Sequence, residues 1–149
     1  MKGRLEVRHR LSEMMNGCRE TIDFWTTMKG IEILANHRLG DLDALRKRNV
    51  RIRIIAPIMK ENKRSVKILL QVAELRHSEA LGPARIVIAG RDNLLYYQRI
   101  PDDDSLEAGG DVGFWTNSHP LIETMSHAYE EAWKGMVAIF TPHSHVSRR

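Results

Sequence analysis

The sequence predicts a layered α/β domain: a mixed, largely parallel sheet flanked by helices and closed by an antiparallel hairpin. Three observations carry that expectation. Short β-branched and aromatic runs alternate along the chain with apolar residues at three- and four-residue spacing, as strands alternate with helices. The runs Arg85 to Ala89 and Leu94 to Gln98 flank Gly90 to Asn93 as the arms of a hairpin flank its turn. The length, 149 residues, suits one core.

Each element has its own signal. Val7, Leu11, Met14, Met15 and Cys18 share one helical stripe, so the chain opens on a helix. Thr21 to Thr27 is β-branched and aromatic and reads as a strand. Ile31, Leu34 and Ala35 return to helical spacing; Gly40 interrupts, Asp41 caps a second set of turns through Leu42 and Leu45, and Asn49 stops it. Val50 to Ala56 alternates apolar and basic residues before Pro57, a strand whose start exposes Arg51 and Arg53. A helix with Val66, Leu69, Leu70 and Ala73 on its buried side follows, then the short unclassified run Glu74 to His77. After the hairpin, Pro101 to Gly110 has the composition of a mobile loop, with three successive aspartates. Asp111 to Thr116 is a last short strand. Asn117, Ser118 and Pro120 start an amphipathic helix with Leu121, Met125, Ala128 and Ala132 beside Ile122, Tyr129, Trp133 and Met136. The expected organisation is one domain over residues 1–140 and a flexible tail over 141–149.

Composition excludes several classes. With 42% apolar and 28% charged residues the chain is neither disordered nor fibrous. The longest apolar run, Met136 to Phe140, is far short of the roughly 18 residues a membrane span needs. The N-terminus is charged where a signal peptide needs an apolar segment, so nothing there argues for secretion, and the lone Cys18 permits neither an internal disulfide nor a paired-cysteine zinc site; a cytoplasmic protein is expected. A net charge of +4 permits an anionic partner without requiring one.

No dinucleotide, P-loop, zinc-protease or hydrolase signature occurs, so neither a cofactor nor a metal is expected. Asp102, Asp103 and Asp104 lack the alternating spacing of a calcium loop. Arg46, Lys47, Arg48, Arg51 and Arg53 crowd one corner, with Lys60, Lys63, Arg64 and Lys67 on the next helix; a nucleic-acid surface uses such residues as phosphate contacts. Within Phe114 to Ser118, alternation sends Phe114 or Trp115 away from the core beside polar groups and a helix start, where a polar or anionic ligand can be held.

The order of several phrases then resembles a known family. Phe24 to Thr27, Asn49 to Pro57, Ala73 to His77, the hairpin from Arg85, and Gly113 to Ser118 leading to Tyr129 to Trp133 resemble a half-domain of the phospholipase-D-like superfamily. More narrowly, they resemble the effector domain that follows the winged helix of archaeal TrmB-type transcription regulators. Active members of the superfamily carry His-x-Lys and then aspartate at the hairpin. Laid on this chain, the pattern puts Pro83 at the histidine, Arg85 at the lysine and Gly90 at the aspartate. Proline offers no nucleophile, so the resemblance implies a domain without enzymatic activity. It implies a homodimer with a cleft at its two-fold interface, where a small polar metabolite such as a sugar is expected to bind through Arg85, through Thr26 and Thr27 at the carboxyl end of their strand, where ligands of such sheets sit, and through Trp115 and Asn117. It also implies DNA contact through a winged helix before residue 1 or on a partner. The alternative is a nucleic-acid-binding protein, or an atypical phosphodiesterase or nuclease of the same superfamily.

Overall fold

The computed structural model describes residues 2–136 and 138–139. In chain order the elements are α1 (Arg4–Gly17), β1 (Thr21–Trp25), α2 (Met28–His37), α3 (Leu39–Lys47), β2 (Arg51–Ala56), α4 (Lys63–Leu69), β3 (Glu74–His77), β4 (Ala84–Ala89), β5 (Asn93–Gln98), β6 (Val112–Thr116), α5 (His119–Lys134) and β7 (Ala138–Ile139). The strands form one sheet in the order β6-β5-β4-β1-β2-β3-β7. The layered α/β class stands, but less of the sheet is parallel than the alternation implied. Only β1–β2 and β2–β3 pair parallel; β1–β4, β4–β5, β5–β6 and β3–β7 are antiparallel. A parallel neighbour needs a crossover of a dozen residues or more, and the two parallel pairs are those whose connections carry α2–α3 and α4. Glu74 to His77, unclassified from sequence, becomes β3 by pairing with β2. The tail expected over 141–149 lies outside the described residues.

Strand alternation divides the interior. Ile22, Phe24, Ile52, Ile54, Val87 and Leu95 pack with the apolar stripes of α1, α2, α3 and α4. Ile55, Ile86, Ile88 and Leu94 turn to the other face, where Ile122, Tyr129 and Trp133 of α5 cover them. Each such residue contributes about 1.5–3 kcal/mol by leaving water, so the sandwich fixes the strand register. The same alternation corrects one expectation. Arg51 is exposed, but Arg53 lies beneath α5 and is 7% exposed. Ser118 precedes α5 and Pro120 sits in its first turn, yet the Ser118 side chain makes no capping bond. The true side-chain cap belongs to α2, where Thr27 Oγ1 accepts from the Gly30 N–H. Among the described residues no helix is long and apolar enough to cross a membrane.

Candidate functional site

Where β1 ends, the chain turns into α2 through Thr26 and Thr27, both 7% exposed. The register Trp25↔Ile86 carries the start of β4, and so Arg85, to the same place. Arg85 follows the parity of Val87 and Ala89 and therefore points into the helical layer, not toward α5. There its Nη2 donates to Thr27 Oγ1 at 3.1 Å, so one hydroxyl both caps α2 and orients the guanidinium. Gly30 makes the approach possible: a Cβ there would stand 1.8 Å from Thr26 Oγ1 and 2.9 Å from its Cβ.

Thr26, Gly30 and Arg85 lie along a cavity of about 370 Å³ between α1, α2, β1 and the β4–β5 pair. Thr26, Gly30, Arg85, Tyr97 and Arg99 line its buried part, and Arg8, His9, Ser12, His37 and Arg38 its more exposed part. Arg8, Arg38, Arg85 and Arg99 line it with a single acidic residue, Asp111, among side chains of which about half are apolar. Arg85 is 3% exposed, and its Nε is buried without a hydrogen-bond partner. A buried donor without an acceptor is costly, and a charged one more so. Burial, with Arg4 and Arg85 close by, lowers the pKa of Arg99. Burial also opposes the charge on Arg4, but bonds to Asp111 and Asp103 outweigh it and raise that pKa.

The aspartate-rich segment is tied down, contrary to the mobility its composition suggested. Arg4 donates to Asp103 (2.7 Å), Asp111 (3.1 Å), the Pro101 carbonyl (2.6 Å) and the Ser105 carbonyl (2.9 Å). Arg8 holds the Leu106 carbonyl at 2.7 Å, Arg99 holds the carbonyls of Asp103 and Ser105, and Arg85 pairs with Asp102. Gly109 lies so near Arg4 that a Cβ would meet its guanidinium at 2.5 Å.

Of the residues read from sequence, Arg85, Thr26 and Thr27 come together. Trp115 and Asn117 do not join them. Arg85 faces Tyr97, which faces Gly113, so Trp115 and Asn117 lie two and four residues further along β6, away from the cavity. Trp115 donates its indole N–H to Asn93 at 2.9 Å and lies 4.2 Å beneath the Arg10 guanidinium, while Asn117 is exposed. Phe114, not Trp115, is the residue turned out, at 46% exposure. In the basic corner Arg46 and Lys47 pair with Asp43, Arg51 with Glu74, and Arg53 with Asp23 and Glu130. Arg48 donates to the Met15 and Cys18 carbonyls. His77 accepts from the Ile58 N–H at 2.9 Å and pins the turn after β2. Pro83 is exposed just before β4, and Gly90 turns the hairpin at the other end of that strand with a φ of 60°. Within the one chain, α1, α2 and the acidic segment wall this cavity.

Sequence reasoning missed Arg4, Arg8, Arg99 and Asp102. Two of them left a signal: Arg99 continues the inward parity of Leu95 and Tyr97, and Arg4 begins the stripe of Val7 and Leu11.

No family model and no curated protein matches the sequence. Solved structures do match it in fold. TrmBL2, an archaeal chromatin protein whose structure shows a novel mode of DNA binding, superposes with TM-score 0.66 and 14% identity over 93% of this chain. This chain spans 53% of that one. Nuc from Salmonella typhimurium, a phospholipase D family member, gives TM-score 0.68 and 12% identity over 90% of this chain and 91% of its own. NucT from Helicobacter pylori gives 0.67 and 13% over 91% and 92%. The fold is therefore phospholipase-D-like and resembles TrmB-type domains. The likeness to Nuc and NucT, which spans nearly the whole of each, also overturns the expectation of a domain without enzymatic activity. The cavity on this scaffold has His9 and His37 beside its arginines.

Proposed function

We propose that this chain is a phospholipase-D-like domain of transcription-regulator type whose cavity beside Arg85 binds the phosphate or comparable anionic group of a small polar metabolite. The observation that carries the reading is the buried Arg85, with a guanidinium short of partners, lining a cavity together with Arg8, Arg38 and Arg99. A planar guanidinium next to the start of a helix suits a phosphate oxygen better than a neutral hydroxyl. Basic lining thus favours a sugar phosphate over the free sugar expected from the resemblance. Thermal-shift measurements with matched sugars and sugar phosphates test it. A ligand at 100 times its dissociation constant stabilises by about 2.7 kcal/mol. Phosphorylated compounds should raise the melting temperature of the parent but not of Arg85→Gln; stabilisation by neutral sugars alone would overturn the reading. A parallel assay of phosphodiester hydrolysis determines whether the bound group is also turned over.

Nucleic-acid binding is the second reading, favoured by a different observation. Lys60, Lys63, Arg64 and Lys67 are exposed and make no ion pair among the described residues, unlike most of the corner formed by Arg46, Lys47, Arg48, Arg51 and Arg53. If all four meet phosphates, log affinity for duplex DNA falls against log salt with a slope near about −3.6. A flat salt dependence removes this reading. The homodimer is assigned to the sheet face that α5 leaves bare, where Tyr96 and Phe114 stack at 5.6 Å and stand 37% and 46% exposed. A patch of this kind can meet its own copy about a two-fold axis. Sedimentation should show a dimer that Phe114→Lys disperses.

A further inference from the structure

Four arginines grip the acidic segment, but they grip it differently. Arg4, Arg8 and Arg99 hold its backbone, at the carbonyls of Pro101, Asp103, Ser105 and Leu106. Asp103 adds a carboxylate to Arg4 and also accepts from the Ser105 N–H at 3.1 Å, so it belongs to the same clasp. Asp102 does something else. Its carboxylate reaches Arg85, the one arginine of the four that grips no carbonyl of the segment. Asp102 has a side chain 36% exposed, whereas that of Arg85 is 3% exposed. The segment therefore keeps its anchors without this pair.

A carboxylate and a phosphate use the same guanidinium donors. At Arg85, Thr27 and Asp102 share the Nη2 donor, where a ligand oxygen would bind, while the Nε is buried out of reach of solvent. Building on the anion reading of the cavity, we infer that Asp102 is a built-in competitor that holds the ligand's anionic group off Arg85 until the ligand displaces it. The apparent affinity is then the intrinsic one reduced by the fraction of molecules in which Arg85 is free. If Asp102 occupies it in nine of ten molecules, removing that carboxylate tightens binding about tenfold. Only ligands carrying a full anionic group can compete, so Asp102 also rejects neutral sugars of the same shape.

The experiment compares inorganic phosphate binding, by calorimetry, to the full chain and to Asp102→Asn, Asp104→Asn and Arg85→Gln. Asp104 is the control, being exposed and adjacent with no ion pair among the described residues, so its variant makes the same change in net charge. Asp102→Asn should bind about tenfold more tightly, Asp104→Asn within about twofold of the parent, and Arg85→Gln not at all. Equal affinities for Asp102→Asn and Asp104→Asn, with binding lost in Arg85→Gln, overturn the competitor and leave the anion site standing. Undiminished binding in Arg85→Gln, or none in any variant, overturns both. A structure with phosphate bound supplies the second readout: Asp102 must have left Arg85.

Discussion

Arg53 and Arg85 are both buried arginines, on β2 and β4, either side of β1, yet they face opposite layers and live in opposite circumstances. Arg53, beneath α5, is saturated. Its Nε and Nη2 meet Asp23 at 2.7 and 3.0 Å, its Nη1 meets Glu130 at 2.6 Å, and it lies 5.1 and 5.3 Å from the rings of Tyr129 and Trp133. Burial works against its charge, but the bonds to Asp23 and Glu130 prevail and raise its pKa. Arg85 lines a cavity and has a hydroxyl, one exposed carboxylate and a buried Nε without a partner. Arg53 thus has a completed set of partners and holds the fold, whereas Arg85 has an incomplete set beside a cavity.

The largest test of that contrast is Asp23→Ala. Removing one side of a buried pair costs about 3–5 kcal/mol, and urea unfolding should show a loss of that size without a change in phosphate affinity. Arg85→Gln should cost no more than about 1 kcal/mol while abolishing binding; if the two substitutions destabilise alike, the distinction is wrong. Next comes Gly30→Ala. The added methyl meets both Oγ1 and Cβ of Thr26, so no rotation of the threonine relieves it, and about 1–3 kcal/mol should be lost together with binding. Thr27→Val removes the cap of α2 and the hydroxyl on Arg85, for about 1 kcal/mol by thermal melting.

The smallest expected effect is one of pH. The Arg4 hydrogen bond holds Asp103 below the usual carboxylate range, and the Arg53 bond does the same to Glu130. For a depressed carboxyl, stability is complete above the unfolded value, about 4, and is lost as pH falls through the lower folded one. Melting temperature should therefore decline below about pH 4, and Asp103→Asn should flatten part of that decline.

How much could be read in advance follows from what each feature depends on. Arg85 was legible from its place in a motif pattern, and Thr26 and Thr27 from the end of a β-branched run. Trp115 and Asn117 were placed in the wrong company because alternation tells which face a side chain takes but not which end of the sheet it reaches. That end is set by the antiparallel register of β5 with β6. Arg53 was misjudged for a related reason: its parity was right, but nothing local shows that α5 covers that face. The acidic segment looked unstructured because its partners, Arg4 and Arg8, are about a hundred residues away.

Arg4 joins two distant parts of the chain at a single side chain. It belongs to the first turn of α1 and has no exposed side-chain surface, while its four acceptor residues all lie between Pro101 and Asp111. Neither part can shift alone without stranding a charge in a dry setting. The leading turn of α1 and the acidic segment that carries Asp102 to Arg85 are thus fastened to each other at one guanidinium.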